Sequence, residues 1–153
     1  KDRVQVLNVG GHTLGHIAYY IPECHVAFVG DALFALGCGR MFEGTAEQMW
    51  GSLSKLAALP PQTKVFCAHE YTLSNAKFAV TIDPENTALQ TRAREIETAR
   101  AAGQPTVPTT IALELATNPF LRAHDQKIRA HLSMQDASDV DVFAEIRARK
   151  DNF

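Results

Sequence analysis

The sequence predicts an α/β protein in two unlike parts, a sheet-forming stretch over residues 1–70 and an all-helical stretch over residues 71–153. Two observations carry this reading. Short apolar runs separated by glycine loops fill the first part, the pattern of buried strands. After Tyr71 no convincing strand appears, and helical segments alternate with breaks at Asp83-Pro84, at GQPTVPTT and at Asn118-Pro119.

Taken in order, VQVLNV, IAYYI and HVAFVG read as three strands, the first two joined by the loop GGHTLGH and the last two by a turn at Pro22-Glu23. DALFALGCGRMFEG is too rich in glycine for a regular element. A helix then opens at Thr45, which forms a capping box with Gln48, and buries Met49, Leu53 and Leu56. Pro60-Pro61 stops it, and KVFCAH follows as another strand. The final helix starts at Ser138, capped onto Asp141, and carries Val140, Phe143, Arg147 and Lys150 along one stripe.

Composition excludes several classes of function. With 153 residues and 46% hydrophobic content the chain can bury a real core, as one medium domain or two small ones. Fifteen Lys and Arg stand against 17 Asp and Glu, so neither nucleic acid nor a membrane surface is an expected partner. No apolar run approaches a membrane span. Cys24, Cys38 and Cys67 form no CxxC pair, which suits reduced thiols in a cytoplasmic protein, where they would serve as small buried hydrophobes. The chain begins Lys-Asp-Arg with no visible signal peptide.

Three polar residues share one context. His12 follows the first strand through a glycine loop, Asp31 ends HVAFVG, and His69 ends KVFCAH. Two imidazoles and a carboxylate delivered from strand ends are donors that zinc and iron accept. Each taken singly also reads as a hydrogen-bonded structural residue; the repeated position favours a shared site. His16 reads as a support or packing residue, while His25, His124 and His131 have no convergent partners. Tyr71 fills either a core or a ligand contact. Arg147 and Lys150 complement the dipole of the last helical turn, pair with Glu145 or another acid, or hold a substrate carboxylate.

GGHTLGH, VGDALFALGCGRMFEGTAEQMW, LPPQTKVFCAHEYTLSNAKFA, PTVPTT, NPFLR and the tail EIRARKDNF, in this order, resemble glyoxalase II, the hydroxyacylglutathione hydrolase family of the metallo-β-lactamase superfamily. The resemblance implies the second half of an αββα sandwich over 1–70, then a small helical glutathione-binding domain over 71–153. It implies hydrolysis of a glutathione thioester, such as S-lactoylglutathione, by a monomeric enzyme with two metal ions, zinc first and iron or manganese as alternatives. By resemblance His12 binds one ion, His69 the other, and Asp31 bridges them, while His16 is not a ligand. Arg40, Phe42, His69, Tyr71, Arg147 and Lys150 border the substrate, Phe42 standing where the family often has tyrosine. The family's H-x-H-x-D-H motif, source of the other metal ligands, is absent. The expectation is therefore a carboxy-terminal portion of a longer enzyme, inactive alone. A persulfide dioxygenase of the same superfamily and a non-catalytic module binding glutathione conjugates are the alternatives.

Overall fold

A computed structural model describes residues 1–153, in which a five-stranded sheet packs one face against helices. Strands β1 (Gln5–Asn8), β2 (Ile17–Ile21) and β3 (Val26–Gly30) form an antiparallel meander. A tight hairpin of β4 (Leu33–Phe34) and β5 (Gly37–Cys38) follows, then helix α1 (Ala46–Ala57) and strand β6 (Lys64–Cys67), which lies parallel to β3. The rest is α2 (Thr72–Ile82), α3 (Thr87–Ala101), β7 (Thr109–Thr110), α4 (Ile111–Thr117), α5 (Gln126–His131) and α6 (Asp139–Asp151). No helix is long and apolar enough to cross a membrane.

Strand direction decides where the loops go. β1 runs antiparallel to β2 and β2 antiparallel to β3, so β1 points the same way as β3 and its parallel neighbour β6. The carboxyl ends of β1, β3 and β6 therefore share one edge of the sheet, where open α/β sheets bind ligands.

Helix starts obey local chemistry. In α1 the Thr45 hydroxyl accepts from the Gln48 N–H at 3.2 Å while the Gln48 side chain accepts from the Thr45 N–H at 2.9 Å. Ser138 caps α6 by accepting from the Asp141 N–H. The buried face of α6 is Val142, Phe143, Ile146 and Arg147, with Val140 only partly covered, so the apolar stripe lies rotated from the one expected. The reason is that Val142 and Ile146 flank Phe143 and Arg147 and reach the same core.

Two expectations about strands fail. Residues 31–44 contain the β4–β5 hairpin, and Ala32–Gly39 are all buried, because helical residues supply partners for a turn that glycine and alanine let pack tightly. Thr109–Thr110 forms β7 against β6, Val65 opposite Thr109, so the helical part contributes a strand to the sheet. A two-residue strand has no readable period. The cysteines also differ: Cys38 is buried and Cys67 half-buried, but Cys24 is exposed in the turn between β2 and β3.

One core crosses both parts of the chain. Val29, Val65 and Leu53 from the first part meet Phe78, Phe120 and Phe143 from the second. The opposite sheet face is apolar and open: Val4, Val6, Ile17, Tyr19 and Phe28 are 40–59% exposed. Such a face calls for a covering layer.

The tightest polar hub is Glu114, fully buried on α4. Its carboxylate pairs with Arg92 of α3 at 2.7 Å and accepts from the Leu36 N–H at 2.7 Å, the Thr109 hydroxyl at 2.5 Å and the Asn118 amide at 3.1 Å. Leu36 has φ 59°, a left-handed conformation costing about 1–3 kcal/mol for a non-glycine residue. The Glu114 and Asn118 bonds hold that turn, Asn118 donating also to the Gly37 carbonyl at 3.1 Å. Removing the carboxylate leaves Arg92 buried without its counter-ion, so Glu114→Ala should lower stability by about 3–5 kcal/mol. Denaturant titration checks this; a loss below about 1 kcal/mol, the size of an ordinary surface pair, would contradict the hub.

Candidate active site

The shared sheet edge brings the strand-end residues together. His12 lies in the β1–β2 loop, Asp31 directly follows β3, and His69 lies just beyond β6. All three line one cleft of about 560 Å³, within the range of small-molecule sites. Arg40, Phe42, Tyr71, Arg147 and Lys150 line the same cleft, so every site residue expected from the sequence faces one space.

At one end, His69 Nε2 stands 3.1 Å from Asp31 Oδ1. His12 Nδ1 lies 2.8 Å from the Arg40 carbonyl oxygen. A carbonyl only accepts, so Nδ1 is the donor here, and in the neutral ring the lone pair is then on Nε2, the form in which imidazole binds a metal. Asp31 is placed by its backbone: its N–H donates to His16 Nε2 at 2.9 Å. The His16 ring packs over Gly30, whose φ of 55° and missing Cβ both suit glycine; an added Cβ would stand 2.5 Å from the ring. His16 therefore holds Asp31 and directs Nε2 at the backbone.

Aromatic rings build one wall. Tyr71 stacks on His69 with centroids 4.7 Å apart and planes 16° from parallel, and Phe34 meets the Tyr71 ring edge-on at 5.3 Å. Phe42, largely exposed on the rim, approaches the His12 ring at 5.1 Å.

The other end is cationic. Arg147 is buried, and its guanidinium donates to the Cys38 carbonyl at 2.7 Å and to Asp151 Oδ1 at 2.9 and 3.0 Å. Asp151 is thus the acid partner, one helical turn on, while Glu145 pairs with Arg149. Arg40 also approaches Asp151, at 3.9 Å. Lys150 sits within 5.9 Å of the Phe78 and Phe153 ring centres, with no acid in ion-pair contact. Burial holds its ammonium below the ordinary lysine range, Arg147 and Arg40 push the same way, and Asp151 opposes them. An anion entering here would relieve that cost.

Phe34, Cys38, Ser74 and Asn75 also line the cleft and had no local signal in the sequence. Phe34 and Cys38 face it through the hairpin, and Asn75 reaches across to donate to the Ala35 carbonyl at 3.1 Å. Asp151 could have been found from its spacing of four after Arg147 on a helix.

Two families match successive stretches of the chain. Residues 2–69 match the metallo-beta-lactamase superfamily and residues 70–153 match a family described as hydroxyacylglutathione hydrolase C-terminus. A hydroxyacylglutathione hydrolase of Roseobacter denitrificans is 64% identical over 151 residues, covering 99% of this chain and 59% of that protein. Among solved structures, ETHE1 from Myxococcus xanthus shares the fold at TM-score 0.54 and 24% identity, covering 98% of this chain and 54% of that one. A protein solved in a di-iron-bound form matches at TM-score 0.51 and 31% identity, over 77% of this chain and 42% of its own.

The cleft floor makes a chemical prediction. Burial pushes the Cys38 thiol up to about 11, against the pull of Arg147, and raises Cys67 less. Exposed Cys24 should react with a thiol reagent in the native protein, and Cys38 only after unfolding. The folded thiol is the weaker acid, so its contribution to stability is full below pH 9.0 and is lost as pH rises toward 11. Denaturation midpoints of Cys38→Ala across that range should fall less steeply than those of the unaltered protein; equal slopes would contradict the assignment.

Proposed function

We propose, from the premise that the chain belongs to the hydroxyacylglutathione hydrolase family, that the full-length protein hydrolyses the thioester of an S-(2-hydroxyacyl)glutathione to a 2-hydroxy acid and glutathione. The chain spans about 59% of the length of the curated relatives it matches, so the activity is assigned to the whole protein. The observation that carries the reading is one cleft with metal-type donors at one end and an unpaired cation at the other. Residues 1–70 supply the first end and residues 71–153 most of the second, which supports two functional units despite the shared core.

Two metal ions fit the donors in kind. His12 with its free Nε2 would hold one ion, His69 the other, and Asp31 both; zinc, iron and manganese all accept such nitrogen and oxygen ligands. These side chains give two ligands per ion, fewer than the three usual in catalytic zinc sites, and no group of three lies together within residues 1–153. When bound, such ions supply hydroxide near neutral pH and steady a developing oxyanion.

The chain's own residues do the binding and orientation. Lys150, with Arg40 and Arg147 behind it, attracts a carboxylate of the glutathione part. Arg147 also fixes the Cys38 carbonyl and so the floor beneath the substrate. Tyr71 and Phe42 flank the entry, and Phe42 contacts through its ring without a hydroxyl. Anchoring the remote carboxylate places the thioester carbonyl at the His12–Asp31–His69 end, turning binding into position. A thiolate leaves readily, so a strong general acid is not needed. A persulfide dioxygenase reading is disfavoured by the match of residues 70–153. The three free cysteines suit a reducing, cytoplasmic setting.

S-lactoylglutathione turnover by the metal-loaded full-length protein tests the reading; oxygen consumption with glutathione persulfide and no thioester hydrolysis would replace it. Lys150→Ala should raise KM with little change in kcat, by about 1.5–3 kcal/mol, as for a hydrogen bond to a charged group. Asp31→Ala should lower kcat by orders of magnitude and reduce metal content together; full activity with both metals would remove Asp31 from the site. Residues 1–153 expressed alone should hydrolyse the thioester at no more than background rate.

A further inference from the structure

The loop that carries His12 is held at its base, where the Val9 N–H donates to the His16 carbonyl at 2.9 Å and the Ser52 hydroxyl to the Gly10 carbonyl at 2.6 Å, but its tip is open. Thr13, Leu14 and Gly15 are exposed, and none of them enters the core. Across the tip the internal bonds are the Gly11 N–H to the Thr13 carbonyl at 3.0 Å and a long His16 N–H to the same oxygen at 3.5 Å. A tip so free of packing would let the His12 ring wander unless contacts beyond the loop held it.

Residues 40–44 provide that hold. The Arg40 carbonyl accepts from His12 Nδ1 at 2.8 Å, and the Gly44 N–H donates to the Gly11 carbonyl at 3.0 Å. The two backbones touch so closely that a Cβ on Gly44 would stand 2.6 Å from Gly11 Cα. At the loop tip, beyond reach of these contacts, Glu43 Oε2 accepts from the Leu14 N–H at 2.8 Å. Glu43 has no ion-pair partner and does not line the cleft.

We infer that Glu43 is a positioning residue: its carboxylate clamps the tip of the His12 loop, and with the Arg40 carbonyl it fixes the ring with Nε2 toward the cleft. The bond bridges 29 residues, so it ties the first glycine loop to the segment before α1. Gripping both sides of His12, by Gly44 on Gly11 and by Glu43 on Leu14, restrains the loop on either flank of the ring. The bearing of this clamp on metal affinity rests on the assignment of His12 as a ligand; its bearing on the ring does not.

The test compares Glu43→Ala with Glu43→Gln in the full-length protein, since an amide oxygen can still accept from the Leu14 N–H while carrying no charge. Two measurements are needed: the His12 Nδ1–H signal by NMR without metal, and the zinc dissociation constant by chelator competition. Glu43→Ala should broaden or lose the Nδ1–H signal and weaken zinc binding by about tenfold, the scale of one charged hydrogen bond. Glu43→Gln should restore both to within about twofold, because the acceptor is retained. A sharp, unshifted Nδ1–H signal in Glu43→Ala would overturn the proposal, and so would a Gln variant as impaired as the Ala variant. If the unaltered protein binds no zinc, the ligand assignment of His12 fails, while the Nδ1–H signal still decides whether Glu43 holds the ring.

Discussion

The buried carboxylate of Glu114 is the constraint on which the cleft's architecture depends. One fully buried side chain joins α3 through Arg92, β7 through Thr109, and the β4–β5 turn through the Leu36 N–H. A carboxylate out of water is tolerated only when its lone pairs are filled, and here each oxygen has polar partners. The partners come from three separate stretches of chain, so the hub forms only when they are assembled. Through it the helical part fixes a turn of the sheet part, and that turn places Phe34 and Cys38 on the cleft wall. The two parts of the chain share one core and one polar centre, and the cleft lies where they meet.

A second constraint is directional. β1, β3 and β6 point the same way, so three chemically similar strand ends open onto one edge. His12, Asp31 and His69 need no long connections to face one cleft: each is delivered by the residue or short loop after its strand. His16 then fixes the backbone of Asp31, and the stacked Tyr71 ring limits rotation of His69. Neighbouring side chains thus restrain Asp31 and His69 in the cleft, as outer residues commonly orient the groups of a site.

The cationic end shows a division of labour. Arg147 is buried and neutralised by Asp151, so it works chiefly as a strut for the Cys38 carbonyl. Lys150 is left without an acid partner and with aromatic rings beside its ammonium. A cation held under a desolvation cost is one that gains when an anion arrives. Had both cations been paired, little attraction for a carboxylate would remain.

By itself the sequence determined the elements whose signals are local. The capping box at Thr45, the cap at Ser138, the proline stop after α1 and the alternation in IAYYI depend on neighbours a few residues away, and they stand where the pattern placed them. The strand-end positions of His12, Asp31 and His69 were legible for the same reason, and a family resemblance supplied their expected roles. Tertiary structure alone decided the rest. β7 is two residues long and exists because β6 offers it an edge; the buried hairpin exists because Glu114 and Asn118 satisfy its backbone from some 80 residues away. That Arg147 is buried while Lys150 is left without an acid depends on the rotation of α6 against the core, which side-chain volumes set and no local period encodes.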